Sequence, residues 1–322
     1  MNQSKLKVRT ASIRDLGAVE RLHESSGDRF TEAPPTARLW SLLSHTLSAL
    51  VPLVQETMLY VAEDGGTLCG FVQASGRPSG INLPTATTLQ VLNLLVAPEC
   101  DQDTVAPLLI DHLCNQALSR GIHRLFVRLP FDHELVPWFR RQGFRQYATE
   151  HVLYSENENT GGEEAPQGLR PVRGRDAHAL YNLYRKVTPL GVAQVESPNY
   201  REWRSLKGEP ILRLSRDSAQ ESVVDRVEVV GWVALQRSST DRPHTASFLA
   251  LPESSLADEL ADYALAAIGS GPVWSSVRHY DAHMIDALRG RGFTTLLTQS
   301  LMVKELAVRI ALPEKGLVPS FG

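Results

Sequence analysis

The sequence predicts an α/β protein (α+β in some schemes) built from two tandem copies of one domain, and three observations predict it. The first is an internal repeat. Val8–His23 and Leu169–Tyr184, 161 positions apart, share Arg9/Arg170, Arg14/Arg175, Asp15/Asp176, Ala18/Ala179 and Leu22/Leu183. The same offset pairs Cys69-Gly70-Phe71-Val72 with Val230-Gly231-Trp232-Val233. An offset of 149 pairs Asp132, Gly143-Phe144 and Thr149 with Asp281, Gly292-Phe293 and Thr298. A unit this long is a duplicated domain and not a solenoid repeat. The second observation is that the hydrophobic period switches between two and about 3.6 many times within each copy. The third is the stretch Ser155–Gly168, acidic and rich in Gly and Asn, whose sole aliphatic residue is Ala165. It cannot join a core and reads as a linker. The expected organisation is a first domain over 1–154, a linker over 155–168, a second domain over 169–308, and a tail over 309–322 that Pro313 and Pro319 keep irregular.

Within the first copy each element has its own signal. Val8-Arg9 starts a short strand. Ser12 caps a helix that carries Leu16, Val19 and Leu22 on one face. Leu39, Leu43, Leu47, Leu50 and Val54 give a second helix over Thr36–Val54. Met58–Ala62 and Leu68–Ala74 are strands hinged at Asp64-Gly65-Gly66, a hairpin signal. Leu89–Val96 is a third strand, and the helix after it places Val105, Leu108, Leu109 and Leu113 inward. Leu125–Leu129 is a strand, followed by a short helix to Arg141, the Gly143-Phe144 turn and a last strand through Tyr154. The second copy repeats this order, with a longer polar hairpin connection inside Ile211–Val233.

Composition removes several function classes. With 33 basic and 36 acidic residues the formal charge is −3, which offers no field for nucleic acid or an anionic membrane surface. The arginines at 170, 173 and 175 read as a solvated face. Cys69, Cys100 and Cys114 are odd in number and scattered, so neither a disulfide framework nor a zinc site is expected, and a reducing cytoplasm fits. No apolar run has signal-peptide or membrane-spanning length, so the expectation is a soluble cytoplasmic protein.

The element order resembles the GNAT superfamily of N-acetyltransferases. The residues that bear the likeness are Leu95-Val96-Ala97-Pro98-Glu99 before the main helix and Asp132, Phe139 and Gly143-Phe144 near the end of the copy. Their counterparts are Ala250-Leu251-Pro252-Glu253 and Asp281, Leu288 and Gly292-Phe293. The tandem arrangement is similar to that of the mycothiol synthases. The resemblance implies acetyl-CoA as cofactor, its pantetheine arm paired with the strand ending in Pro-Glu and its pyrophosphate on the next helix N-terminus, where free N–H groups and the dipole favour an anion. It therefore places cofactor binding at Leu95, Val96, Ala97, Thr104, Val105 and Ala106. It also implies a tyrosine that protonates the departing thiolate.

The chain departs from that pattern. The loop position holds Asp101-Gln102-Asp103-Thr104-Val105-Ala106 in one copy and Ser254-Ser255-Leu256-Ala257-Asp258-Glu259 in the other, without the basic residue or the middle glycine. Acetyl-CoA binding is therefore expected to be weak. The tyrosine position holds Phe139 and Leu288, and the family's usual asparagine is Asp132 and Asp281. Asp101 and Asp103 read as helix caps in place of a phosphate. His279-x-Asp281-x-His283 has metal-like spacing but no third ligand, and no metal is expected. Glu150-His151 is an acid-base pair near the cleft, of which alternation lets at most one face a substrate, or, the preferred reading, a partner-facing surface. Tyr147 and Tyr280 are stand-ins for the missing acid or packing residues, and Trp40 and Trp203 are pocket or core residues. The sequence assigns no catalytic residue. It leaves two functions: an N-acyltransferase acting from acyl-CoA on a small-molecule amine or a protein amine, or a non-catalytic module derived from that fold which binds a ligand or a protein partner.

Overall fold

The Asp64-Gly65-Gly66 signal builds a two-residue hairpin. Gly65 and Gly66 both have positive φ (57° and 87°), and the turn joins β2 (Thr57–Asp64) to β3 (Thr67–Gly76). The computed structural model describes residues 6–25, 57–76, 88–156, 165–207, 218–237, 243–252 and 255–306; the expected helix over 36–54, Trp40 and the tail lie outside them. The first copy continues from β1 (Lys7–Thr10) and α1 (Leu16–Ser25), through that hairpin, to β4 (Thr88–Val96) and α2 (Gln102–Ser119). It ends with β5 (Arg124–Pro130), α3 (Leu135–Arg141) and β6 (Arg145–Ser155). The second repeats the order: β7 (Leu169–Pro171), α4 (Ala177–Val187), α5 (Leu190–Glu196), α6 (Tyr200–Lys207), β8 (Ser218–Asp225), β9 (Val229–Arg237), β10 (His244–Ala250), α7 (Leu256–Ile268), β11 (Val273–Arg278), α8 (Ala282–Arg289) and β12 (Thr294–Glu305).

The two copies share one twelve-stranded mixed sheet, in the order β1-β2-β3-β4-β5-β12-β6-β11-β10-β9-β8-β7. Each copy's last strand lies against the fifth strand of the other: β12 pairs antiparallel with β5, and β6 with β11. β6 and β12 pair with each other at the centre. Glu150 faces Gln299, Thr149 faces Ser300 and His151 faces Thr298. Glu150 and Gln299 are 149 positions apart, the repeat's own offset, so a pseudo-twofold axis passes through that pair. Bulges obey the same axis. Tyr147 is the extra residue opposite Leu301-Met302, and Leu296 is the extra residue opposite Val152-Leu153.

The repeated residues are structural. Arg9 donates a fork to Asp15 (2.7 and 2.9 Å) and bonds Glu63 (2.7 Å); Arg170 does the same to Asp176 (2.7 and 2.9 Å) and Asp225 (2.6 Å). Each arginine thus ties the start of its copy to the end of the second strand, and holds its aspartate well below the usual carboxylate range, to about 2 for Asp176. Arg170 is therefore not part of a solvated face, whereas Arg173 and Arg175 are exposed as expected. Gly143 and Gly292 share φ 82°, and the next N–H, of Phe144 or Phe293, closes back on Phe139 or Leu288. Both phenylalanines are buried. On α2, Val105, Ala106, Leu109, Ile110 and Leu113 pack inward, but Leu108 is 41% exposed. The inward stripe follows the 3.6 period from Val105 and passes Leu108 by.

Candidate functional site

β4 and β5 run parallel and touch only at their beginnings, where Thr88, Leu89 and Gln90 face Arg124, Leu125 and Phe126. From Val91 onward they part. A bulge lies at the divergence: the register against β3 slips between Gln73 and Ala74, with Leu92 as the extra residue, and a bulged strand bends. A buried amide pair, Asn93 to Gln73 at 2.6 Å, flanks it. Ala97 N–H donates to Cys69 O (2.8 Å), so antiparallel alternation turns the N–H and C=O of Val96 away from β3 and toward the gap. Leu95 and Ala97 are buried beneath. The result is a splayed cleft between Val91–Val96 and the second half of β5.

The second copy opens in the same place, since β10 and β11 pair only at His244–Val273 and Thr245–Trp274. There, however, the corresponding backbone group is taken. Leu251 N–H donates to Val230 O, which turns Ala250 O toward the gap, and the Nε2–H of His283 donates to it at 3.3 Å. The second cleft is stoppered by a side chain from α8.

The helix start that follows β4 is satisfied from within. Asp101, the cap residue, accepts Asp103 N–H on its carboxylate (3.2 Å) and also accepts the Thr104 hydroxyl. Its carbonyl takes the N–H groups of Thr104 (3.2 Å) and Val105 (2.9 Å). The capping role expected of Asp101 is what the structure shows. Val105 and Ala106 are core residues, 3% and 2% exposed. An adenosine pyrophosphate does not fit this position, because the Asp103 N–H and the Thr104 hydroxyl, donors it would need, already hold the Asp101 carboxylate.

At the far end of β11 a buried polar cluster joins the copies. Arg278 donates to Glu150 (2.8 Å) and Glu196 (2.7 Å). Arg128 approaches Glu150 at 3.9 Å. The hydroxyls of Tyr147 and Tyr184 reach Glu196 at 3.2 and 3.4 Å, and Arg124 binds Glu202. Burial opposes the charge on Arg278, but Glu196 and Glu150 outweigh it. Burial and then Glu196 push the hydroxyls of Tyr147, Tyr184 and Tyr280 upward, so none is poised to give up a proton near neutrality. Asp281 stands beside this cluster at the start of α8, without a capping bond, and burial raises its carboxyl to about 7. Glu150 is 4% exposed, so the expected partner-facing surface is instead an internal junction. The pseudo-axis makes the asymmetry plain. The positions related to Tyr147, Glu150 and Arg278 are Leu296, Gln299 and Pro130, so only one side of the axis has the charges.

The remaining candidates separate. Phe139 and Leu288 are 0% and 1% exposed within the cores and are not facing a cleft. Asp132 is exposed, unlike Asp281. His279 N–H bonds Thr149 O and its ring lies 5.8 Å from that of His151, so it does not converge with His283. Among the described residues there is no group of three His, Cys, Asp or Glu that could hold a metal. Trp203 is a core residue packed against Tyr181, Tyr184 and Tyr200. Cys69 and Cys100, far apart in sequence, lie side by side; burial and then the neighbouring Cys69 thiol push Cys100 up to about 12. Spacing hides that contact, as it hides the meeting of Glu196 with Arg278.

In each copy two parallel strands pair only at their starts and then splay ahead of a helix, with the other copy's last strand beyond. The model of the Acetyltransferase (GNAT) family matches residues 19–144. A tandem GNAT protein from the clavulanic acid biosynthesis pathway superposes with a TM-score of 0.61 at 13% identity, over 94% of this chain and 99% of that one. A GCN5-related N-acetyltransferase from Sphaerobacter thermophilus gives 0.57 at 17% identity, over 95% and 98%. The glucosamine N-acetyltransferase region of a fungal multi-domain GH3 β-N-acetylglucosaminidase gives 0.60 at 13%, over 94% of this chain and 38% of that one. No curated protein matches the sequence. The first copy matches that family's model over residues 19–144, and the chain shares its overall fold with a tandem GNAT protein. Among the described residues, no helix is long and apolar enough to cross a membrane.

Proposed function

We propose that this protein is a thioester-dependent N-acyltransferase of the acyl-CoA type, with one working cleft, that between β4 and β5. Its acceptor is a small-molecule amine or a protein amine, and the free thiols favour a cytoplasmic setting. The observation that supports the reading is the Val96 edge, unpaired among the described residues, beside a gap that opens from Val91. A pantetheine arm carries two amides and pairs with such an edge as an added strand would. What a bound donor supplies is the activated acyl group. The chain supplies the edge that aligns it, the Leu95 and Ala97 floor that excludes water, and no side-chain acid where the family has tyrosine. With Phe139 there, water protonates the departing thiolate, and the step forgoes a factor of about 10²–10⁴. Phe139 and the occupied helix start also favour a second reading, a module that binds a thioester or other ligand without turning it over.

Hydrogen exchange tests the reading. A pantetheine thioester added at about ten times its Kd is expected to slow exchange of amides in 91–97 and not in 245–250. Release of thiol on addition of an amine would separate transfer from binding alone. Unchanged exchange in 91–97 with both acetyl-CoA and acetyl-pantetheine would sink both readings of the cleft.

A further inference from the structure

The donor end of the first cleft is hostile to the adenosine half of CoA. From Leu89 to Ser119, which spans β4, the turn and α2, there is no Lys or Arg, whereas Glu99, Asp101, Asp103 and Asp111 all fall in that span. Asp101 has its own carboxylate on the Asp103 N–H and on the Thr104 hydroxyl, the donors a pyrophosphate would need. The thioester end shows the opposite character. The Val96 edge is turned toward the gap that opens where the β4–β5 pairing stops, and Leu95 and Ala97 beside it are buried and apolar.

We infer that the donor of this cleft is a pantetheine thioester lacking adenosine pyrophosphate, either a free pantetheinyl thioester or the phosphopantetheine arm of a carrier protein. This rests on the thioester-cleft reading above. Transfer balances without a further reactant: the amine nitrogen forms a bond to the acyl carbon, the C–S bond breaks, and the ammonium proton leaves to water while the thiolate takes one back. A free pantetheinyl thioester carries no phosphate, and a carrier-borne arm carries one phosphodiester in place of the pyrophosphate and ribose phosphate of CoA, so either donor brings less negative charge toward these carboxylates.

Calorimetry on the full chain with acetyl-CoA, acetyl-pantetheine and a carrier protein bearing an acetylated arm reads the preference directly. Acetyl-pantetheine is expected to bind at least as tightly as acetyl-CoA. In D101N/D103N the ratio should move about tenfold toward acetyl-CoA, since two repulsions are removed and acetyl-pantetheine feels neither. Tighter binding of the carrier-borne arm than of the free one would identify a carrier as the source; equal binding would identify the free thioester. Acetyl-CoA binding about tenfold or more tighter than acetyl-pantetheine overturns the inference while leaving the cleft intact. Binding by none of the three, with exchange in 91–97 unchanged, overturns the cleft reading and this inference with it.

Discussion

Removing the guanidinium of Arg278 tests how the two copies are joined. Arg278 lies between Glu150 and Glu196 at 2.8 and 2.7 Å, with side-chain exposures of 19%, 5% and 16%. Arg278→Met keeps the stem and leaves two buried carboxylates facing each other, with Arg128 3.9 Å from one of them as the remaining cation. Breaking one side of a buried ion pair costs about 3–5 kcal/mol, because the orphaned charge stays desolvated. The expected loss for Arg278→Met is in that range, read as a fall in the denaturation midpoint in urea at unchanged slope. The triple variant Glu150→Gln, Glu196→Gln, Arg278→Met should recover most of it, ending within about 1–2 kcal/mol of the parent, since neutral groups of similar volume replace the set. Gln299→Met, at the pseudo-symmetric partner of Glu150, serves as the control and should change stability by no more than about 0.5 kcal/mol. A cost below about 1 kcal/mol for Arg278→Met alone would refute the claim that this cluster holds the junction. So would a triple variant as damaged as the single one.

The Asp281 carboxyl, raised to about 7 by burial, is neutral in the folded chain at pH 5 and ionised when unfolded. Folded protein then binds the extra proton, so stability falls as pH climbs from about 4 to about 7 and levels beyond. Thermal unfolding should show Asp281→Asn overtaking the parent across that window; a pH-independent difference would argue against it. A Cβ on Gly70 would meet Leu95 O at 2.6 Å, whereas one on Gly231 meets only Leu side chains, the nearest at 3.2 Å. Gly70→Ala should cost about 1–3 kcal/mol by overpacking and Gly231→Ala less than about 1, with equal costs contradicting the geometry. The change Asp101→Arg, Asp103→Gly, Thr104→Gly should bring acetyl-CoA affinity up from about millimolar by tenfold or more. Micromolar binding by the parent would show the acids to be no obstacle.

How much was legible follows from the range of each signal. The strands, the Gly65-Gly66 hairpin and the Gly-Phe turns rest on local chemistry, and they stand where the sequence places them. The Asp101 cap was readable for the same reason. The exchange of β6 and β12 was not, because alternation says that Thr294–Glu305 is a strand but not whose edge it will meet. Leu108 was assigned inward from a run of leucines whose true stripe runs one position to the side. The polar junction was invisible because Tyr147, Glu196 and Arg278 belong to three distant elements. Glu150-His151 reads as surface because a charged pair on a last strand usually is. His283 attracted notice as a metal ligand and turned out to stopper a backbone carbonyl.

Strand exchange also sets the order of events at the ribosome. The first copy is synthesised with β5 and β6 complete, yet the place between them stays vacant until β12 emerges nearly 150 residues later. Until then two long edges stand open, the condition that invites pairing with other chains. Neither half can be expressed alone as a finished unit. Cutting the connection between Ser155 and Leu169 after folding should leave the halves associated, because each is threaded through the other's sheet. A nascent chain truncated before β12 should instead be found bound to chaperones or aggregated.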